Sequence, residues 1–173
     1  DNNLTCRLKV ILIIMLQKFL VAVDNSAMGQ RVFEEALALA RATGAKMMIL
    51  HVLDLEEQGS PQIPMIYNTY SMPLDEQTME LYQQQWQEFE NQGLKMLQLL
   101  ADKAAGAGVT TEFTQKTGSP GRAICELADS WSADLIVMGR RGLSGVKEAF
   151  FGSVSSYVLH RASCSVHIVH KEE

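Results

Sequence analysis

The sequence predicts an α/β protein: a single doubly wound domain whose five-stranded parallel sheet is covered by helices on both faces. Two observations carry that prediction. Short continuous apolar runs, such as Phe19-Leu-Val-Ala-Val23 and Lys46-Met-Met-Ile-Leu-His-Val52, alternate with longer stretches whose apolar residues recur at helical spacing. Strands buried on both faces read as such unbroken runs, whereas half-exposed strands alternate. The resulting order β-α-β-α-β-α-β-α-β calls for right-handed crossovers that place helices over the sheet. A length of 173 residues with 47% hydrophobic and 20% charged residues suits one domain with a sizeable core.

Taken in order, residues 1–14 read as a leader before a natural start at Met15, leaving 15–173 as the domain; the rival reading is an added edge strand or arm. The apolar stretch 8–16 is shorter than the about 20 residues that span a bilayer, and no small-residue cleavage site follows it. Residues 19–23 form the first strand and end at the turn and cap residues Asp24, Asn25 and Ser26. A helix over 29–43 follows, with Val32, Phe33, Ala36, Leu37, Leu39 and Ala40 at helical spacing and Gly44 as its stop. The second strand covers 46–52. Residues 54–74, rich in Pro, Gly, Ser and Tyr, read as a long loop. Its Tyr67 and Tyr70, among Pro61, Pro64 and Pro73, suit a lid, a partner surface or an unstructured loop.

Helical spacing resumes over 75–105 through Met79, Tyr82, Trp86, Phe89, Met96, Leu97 and Leu100. Residues 109–116 alternate like a half-exposed third strand, and Gly118-Ser-Pro-Gly121 opens a helix through Ile124, Leu127 and Ala128. The fourth strand is 134–138, the last helix 152–161, and the fifth strand runs from Ser165 to His170.

A net charge of −5 argues against a broad basic surface for nucleic acid or an anionic membrane, so any anion site must be local. Cys6, Cys125 and Cys164 lack the paired spacing of a zinc site or disulfide framework, which fits a reducing cytoplasm. His51, His160, His167 and His170 show no metal-ligand spacing and read as hydrogen-bonded core residues; Cys125, Cys164, Met47, Met48, Trp86 and Phe89 read as packing.

The fourth strand runs into Gly139-Arg140-Arg141-Gly142, and after nine intervening residues come Gly152-Ser153 at a helix start. In open parallel sheets ligands bind beyond the carboxyl ends of the strands. Glycines let a ligand approach the backbone, and a helix N-terminus offers free N–H groups and a positive dipole end, a combination that favours phosphate. The stretch lacks the Gly-Lys-Ser/Thr ending of the common P-loop and the G-x-G-x-x-G of the dinucleotide fingerprint. Plainer roles stand beside this one. Asp24 can cap the first helix, Gly139 and Gly142 can serve tight turns, Ser153 and Ser155 suit any helix start, and Arg140 with Arg141 can form a solvated pair.

The spacing Gly139-x-x-Gly142, nine residues, Gly152-Ser153 resembles the ATP-binding signature of the universal stress protein family. The segments "LVAVDNS", "ILHVLD", "ADLIVMGRRGLSG" and "GSVSSYVLHRASCSVHIVH" resemble the family in the same order. The resemblance implies an adenine nucleotide alpha hydrolase-like sheet in the order 3-2-1-4-5, with an adenine nucleotide across the tips of strands one and four. It places Asp24 near the ribose or a phosphate-bound Mg²⁺, Ala22 and Val23 along the base, and the Val52 backbone against adenine. Met138, Gly139 and Gly142 would border ribose and phosphates, and Gly152, Ser153, Val154 and Ser155 would cradle the phosphate chain. Arg140 and Arg141 occupy variable positions of the signature, and Ala22 stands where the family often has proline.

The function expected on this resemblance is a dimeric stress-response regulator or sensor that binds ATP, ADP, AMP or cyclic AMP and acts on a protein partner. Dimerisation would use the last strand, whose Val166, Ile168 and Val169 make an apolar edge. Two alternatives stand beside it: a slow ATP hydrolase or phosphotransferase in the same pocket, and a dimeric scaffold with a vestigial site. Fast catalysis is not indicated, because no Glu, Gln or His in the motif segments is evidently placed to orient a nucleophile.

Overall fold

The computed structural model describes residues 16–57, 59–62, 76–140 and 152–170. The leader reading of 1–14, Cys6, the loop residues Pro64, Tyr67, Tyr70 and Pro73, and Arg141 and Gly142 lie outside them. The described elements are β1 (Lys18–Val23), α1 (Ala27–Thr43), β2 (Lys46–Leu53), α2 (Glu76–Gly106), β3 (Thr111–Thr117), α3 (Pro120–Trp131), β4 (Leu135–Gly139), α4 (Ser153–Arg161) and β5 (Ser165–Val169). All four strand pairings are parallel, in the order β3-β2-β1-β4-β5, as the resemblance implies.

Continuous apolar strands give the sheet two dry faces. Phe19, Val21, Val23, Met47, Ile49, Leu135 and Val137 pack with α1 and α2 through Val32, Phe33, Ala36, Leu97 and Leu100. Leu20, Met48, Leu50, Val52, Ile136 and Met138 pack on the other side with α3 and α4 through Ile124, Cys125, Ala128 and Val158. Successive residues thus serve opposite cores, and each fully buried large side chain stabilises the fold by about 1.5–3 kcal/mol.

Element boundaries depart from the sequence reading where side chains stop or start a ladder. Ser26 caps α1 by accepting from the Gly29 N–H at 3.1 Å, so the helix begins at Ala27 rather than Gly29. Asp134 is not part of β4: its carboxylate accepts the N–H groups of Gln17 (3.0 Å) and Lys18 (2.9 Å) and so fixes the start of β1. Beside it Lys18 donates to the Trp131 carbonyl at 2.7 Å, and the Lys18 and Lys46 ammonium groups lie 5.2 and 5.8 Å from the Trp131 ring centre. Such cation–π contacts tie α3 to the amino edge of the sheet. β3 starts at Thr111 because Val109 is still closing α2, its N–H donating to Ala104 at 3.0 Å.

No helix among the described residues is long and apolar enough to cross a membrane.

Candidate functional site

Strand order reverses between β1 and β4, since β2 follows β1 outward on one side and β5 follows β4 on the other. Ala22 pairs in register with Met138, so Val23-Asp24 and Gly139-Arg140 emerge side by side at the carboxyl edge. α4 links β4 to the parallel strand β5 and therefore runs back against the strand direction, which brings its first turn to that same edge. A crevice at such a reversal is where open α/β sheets bind ligands.

Ala22, Val52, Met138 and Val154 belong to one apolar cluster, on the face covered by α3 and α4. Val23 does not join them: its side chain lies in the opposite core with α1, leaving its backbone at the edge. The β1–α1 turn is tightly built. Asp24 Oδ1 accepts from the Ser26 N–H at 3.3 Å and from the Ser26 hydroxyl, while Ser26 itself caps α1. The capping role considered for Asp24 thus falls to Ser26, which Asp24 orients. Gly29 makes this turn feasible: a Cβ there would sit 2.7 Å from Asp24 Oδ1 and 2.9 Å from Asp24 N, and closer still to the Asp24 carbonyl oxygen. No sequence pattern flagged Gly29, because the contact crosses the turn.

On the distal side, Gly152 is the N-cap of α4, and having no side chain it makes no cap hydrogen bond to the first-turn N–H groups. The amides of Ser153, Val154 and Ser155 lie in the first turn, where N–H groups have no partner within the helix. The Ser155 hydroxyl is buried and donates to the Gly152 carbonyl at 3.0 Å, so Ser155 can offer a ligand only its N–H; Ser153 is exposed. The Arg140 N–H is committed to the Val169 carbonyl at 3.1 Å, extending the β4–β5 ladder. Gly139 has a packing reason of its own: a Cβ there would meet Met28 Cγ at 2.6 Å and Val32 Cγ2 at 3.2 Å, so its bare backbone lets α1 close on β4.

Among the histidines, His51 matches the reading as a hydrogen-bonded core residue, with Nε2 at 2.9 Å from Glu57 Oε1. His160 and His170 are exposed, contrary to that reading, and His167 is half-exposed and paired with Glu35 at 3.2 Å. His167 and His170 lie on and just past β5, an edge strand with fewer elements over it, and His160 lies at an exposed position of α4. Cys125 is buried and Cys164 half-buried, and burial raises both thiol pKa values above the ordinary range. No cluster of three or more metal-ligating side chains exists among the described residues.

Residues 15–170 match the model of the universal stress protein family. The chain belongs to that family. This universal stress protein is 35% identical to one from Synechocystis over 152 residues, covering 88% of this chain and 96% of the relative. It is 34% identical to one from Bacillus subtilis, covering 90% and 99% of the two chains. A solved universal stress protein in complex with cAMP is 27% identical, with a TM-score of 0.59 and coverage of 90% and 97%.

Proposed function

We propose that this universal stress protein binds an adenine nucleotide at the carboxyl edge between β1 and β4 and serves as a regulatory module rather than a fast enzyme. The observation that carries the reading is the start of α4: a helix N-terminus without a side-chain cap, at the point where strand order reverses. Free N–H groups and the dipole end there favour phosphate. The partly buried Ala22 and Val154, at the margin of the adjoining apolar core that holds Val52 and Met138, offer apolar contact for a base. The relative that holds cAMP supports the same ligand class.

In this reading Gly152, Ser153, Val154 and Ser155 hold phosphate through backbone N–H groups, together with Gly139 and Gly142 along the ribose and phosphates. Asp24 lies toward the ribose or a Mg²⁺ that accompanies a triphosphate. With no further acidic cluster among the described residues, phosphate oxygens and water would complete that ion's shell. Binding regulates a protein partner only if the two states of the module differ in nucleotide affinity. The chain is read as cytoplasmic, where Cys125 and Cys164 stay reduced, and as a homodimer through the edge strand β5, which leaves backbone groups for a second copy.

Calorimetric titration of nucleotide-stripped protein with ATP, ADP, AMP and cyclic AMP, with and without Mg²⁺, tests the site. Saturable binding with negligible turnover is expected. A folded protein that binds none of the four refutes it, and rapid hydrolysis moves the enzyme reading ahead. Light scattering at micromolar concentration should give twice the chain mass; a monomer would remove the β5 interface.

A further inference from the structure

Glu57 is a carboxylate buried to 5% exposure just beyond β2, and His51, at 1%, is its partner. Burying a carboxylate is costly unless donors surround it. Glu57 has them from two directions. His51 Nε2 lies 2.9 Å from Oε1 and 3.1 Å from Oε2, and the Asn25 N–H, 32 positions earlier in the chain, donates to Oε1 at 3.4 Å. The His51 ring is set by α2: a Cβ on Gly93 would lie 2.6 Å from Nδ1 and 2.8 Å from Cε1, so only glycine lets the ring lie there. His51 Nδ1 has no hydrogen-bond partner, whereas Nε2 faces a carboxylate, which assigns the ring proton to Nε2.

A single side chain therefore joins the loops that follow two neighbouring strands. Glu57 is held in its own turn by its N–H to the Asp54 carbonyl (3.1 Å) and by Ser60 N–H to its carbonyl (3.0 Å). At the other end it grips the residue between Asp24 and Ser26, the two that shape the β1–α1 turn. We propose that Glu57, oriented by His51, is a positioning residue that presets the β1–α1 turn carrying Asp24, and that nucleotide occupancy is thereby linked to residues 54–60. The linkage half rests on the nucleotide-binding reading; the positioning half does not. Coupling is reciprocal, so a nucleotide that favours the set turn also protects the Glu57 and Ser60 amides.

The test is amide exchange and nitrogen-detected histidine NMR on the full chain, for wild type, Glu57→Gln and Glu57→Ala, without ligand and then with cyclic AMP and ATP. Glutamine keeps the volume but removes the charge and leaves one acceptor oxygen where His51 and Asn25 shared two, so it stays informative should alanine fail to fold. Without ligand, the Asn25 amide should exchange at least tenfold faster in Glu57→Gln, and more so in Glu57→Ala, while Val137 in the sheet stays protected. The His51 Nε2–H signature should change. With ligand, Glu57→Gln should bind about tenfold more weakly, and wild-type Glu57 and Ser60 amides should gain protection. Wild-type exchange at Asn25 in the variants overturns the positioning. Wild-type affinity in Glu57→Gln, or unmoved 54–60 amides on saturation, overturns the linkage. If wild type binds neither of these nor ADP or AMP, the binding reading and the linkage fall together, and Asn25 exchange alone still decides the positioning.

Discussion

Replacing Gly29 by alanine should destabilise the protein although it lies in a helix. A helical glycine changed to alanine ordinarily gains at most about 1 kcal/mol. At Gly29 the new Cβ would lie 2.7 Å from Asp24 Oδ1 and 2.9 Å from Asp24 N, well inside contact distance, with the Asp24 carbonyl oxygen nearer still. Two of those three atoms are backbone and cannot rotate aside, so either α1 or the β1–α1 turn must shift. Overpacking of this kind costs about 1–3 kcal/mol, and an unyielding neighbour favours the upper part of that range. The net loss is then about 1–2 kcal/mol, or a fall in Tm of about 2–8 °C. Gly106, the last residue of α2, supplies the control, since a Cβ there would meet nothing within 4 Å. Gly106→Ala should hold or raise stability by up to about 1 kcal/mol. Urea unfolding followed by far-UV circular dichroism reads both variants, and nucleotide affinity of Gly29→Ala should drop because Asp24 is displaced. Stabilisation of both variants alike would refute the close approach of α1 to the turn.

Ser132 ends α3 with a φ of 54°, a left-handed conformation that strains any residue with a Cβ, so Ser132→Gly should raise stability by about 0.5–1 kcal/mol in urea titration. Burial raises the thiol pKa values of Cys125 and Cys164, so both should alkylate more slowly at pH 8 than a free cysteine peptide; mass spectrometry of timed samples reads this site by site. The Lys103 ammonium, by hydrogen bonding, holds the Glu34 carboxyl below its usual pKa. Its stabilisation is present above the unfolded carboxylate pKa and fades as pH falls through the lowered folded value. Glu34→Gln should therefore cost no more than about 1 kcal/mol at pH 7, and the difference from wild type should vanish in acid or at high salt.

Much of this architecture is legible in the sequence because burial on both faces leaves a direct mark. The runs Phe19-Leu-Val-Ala-Val23 and Leu135-Ile-Val-Met138 could hardly be anything but interior parallel strands. Chain ends of elements were less legible, since Ser26 and Asp134 act through hydrogen bonds to particular backbone groups rather than through hydrophobic period. Glu57 illustrates the remaining gap. In a polar stretch that reads as loop, an acidic residue signals exposure; only the placement of His51 and Asn25 around it gives the carboxylate a buried home. The Gly29 and Gly93 contacts are likewise pairwise facts of the fold, invisible to any local pattern.

The two tryptophans sit at opposite edges of the sheet. Trp131 ends α3 between Lys18 and Lys46, at the amino edge, while Trp86 lies on α2 in an aromatic row, its ring 6.4 Å from Tyr82 and 5.7 Å from Phe89, about two turns before Gly93 meets His51. The molecule thus carries a built-in optical gauge with two ends. In a Trp131→Phe background, Trp86 emission reports the carboxyl edge alone, and the reciprocal Trp86→Phe background leaves a lamp at the far edge that ligand-driven changes near His51 should not dim.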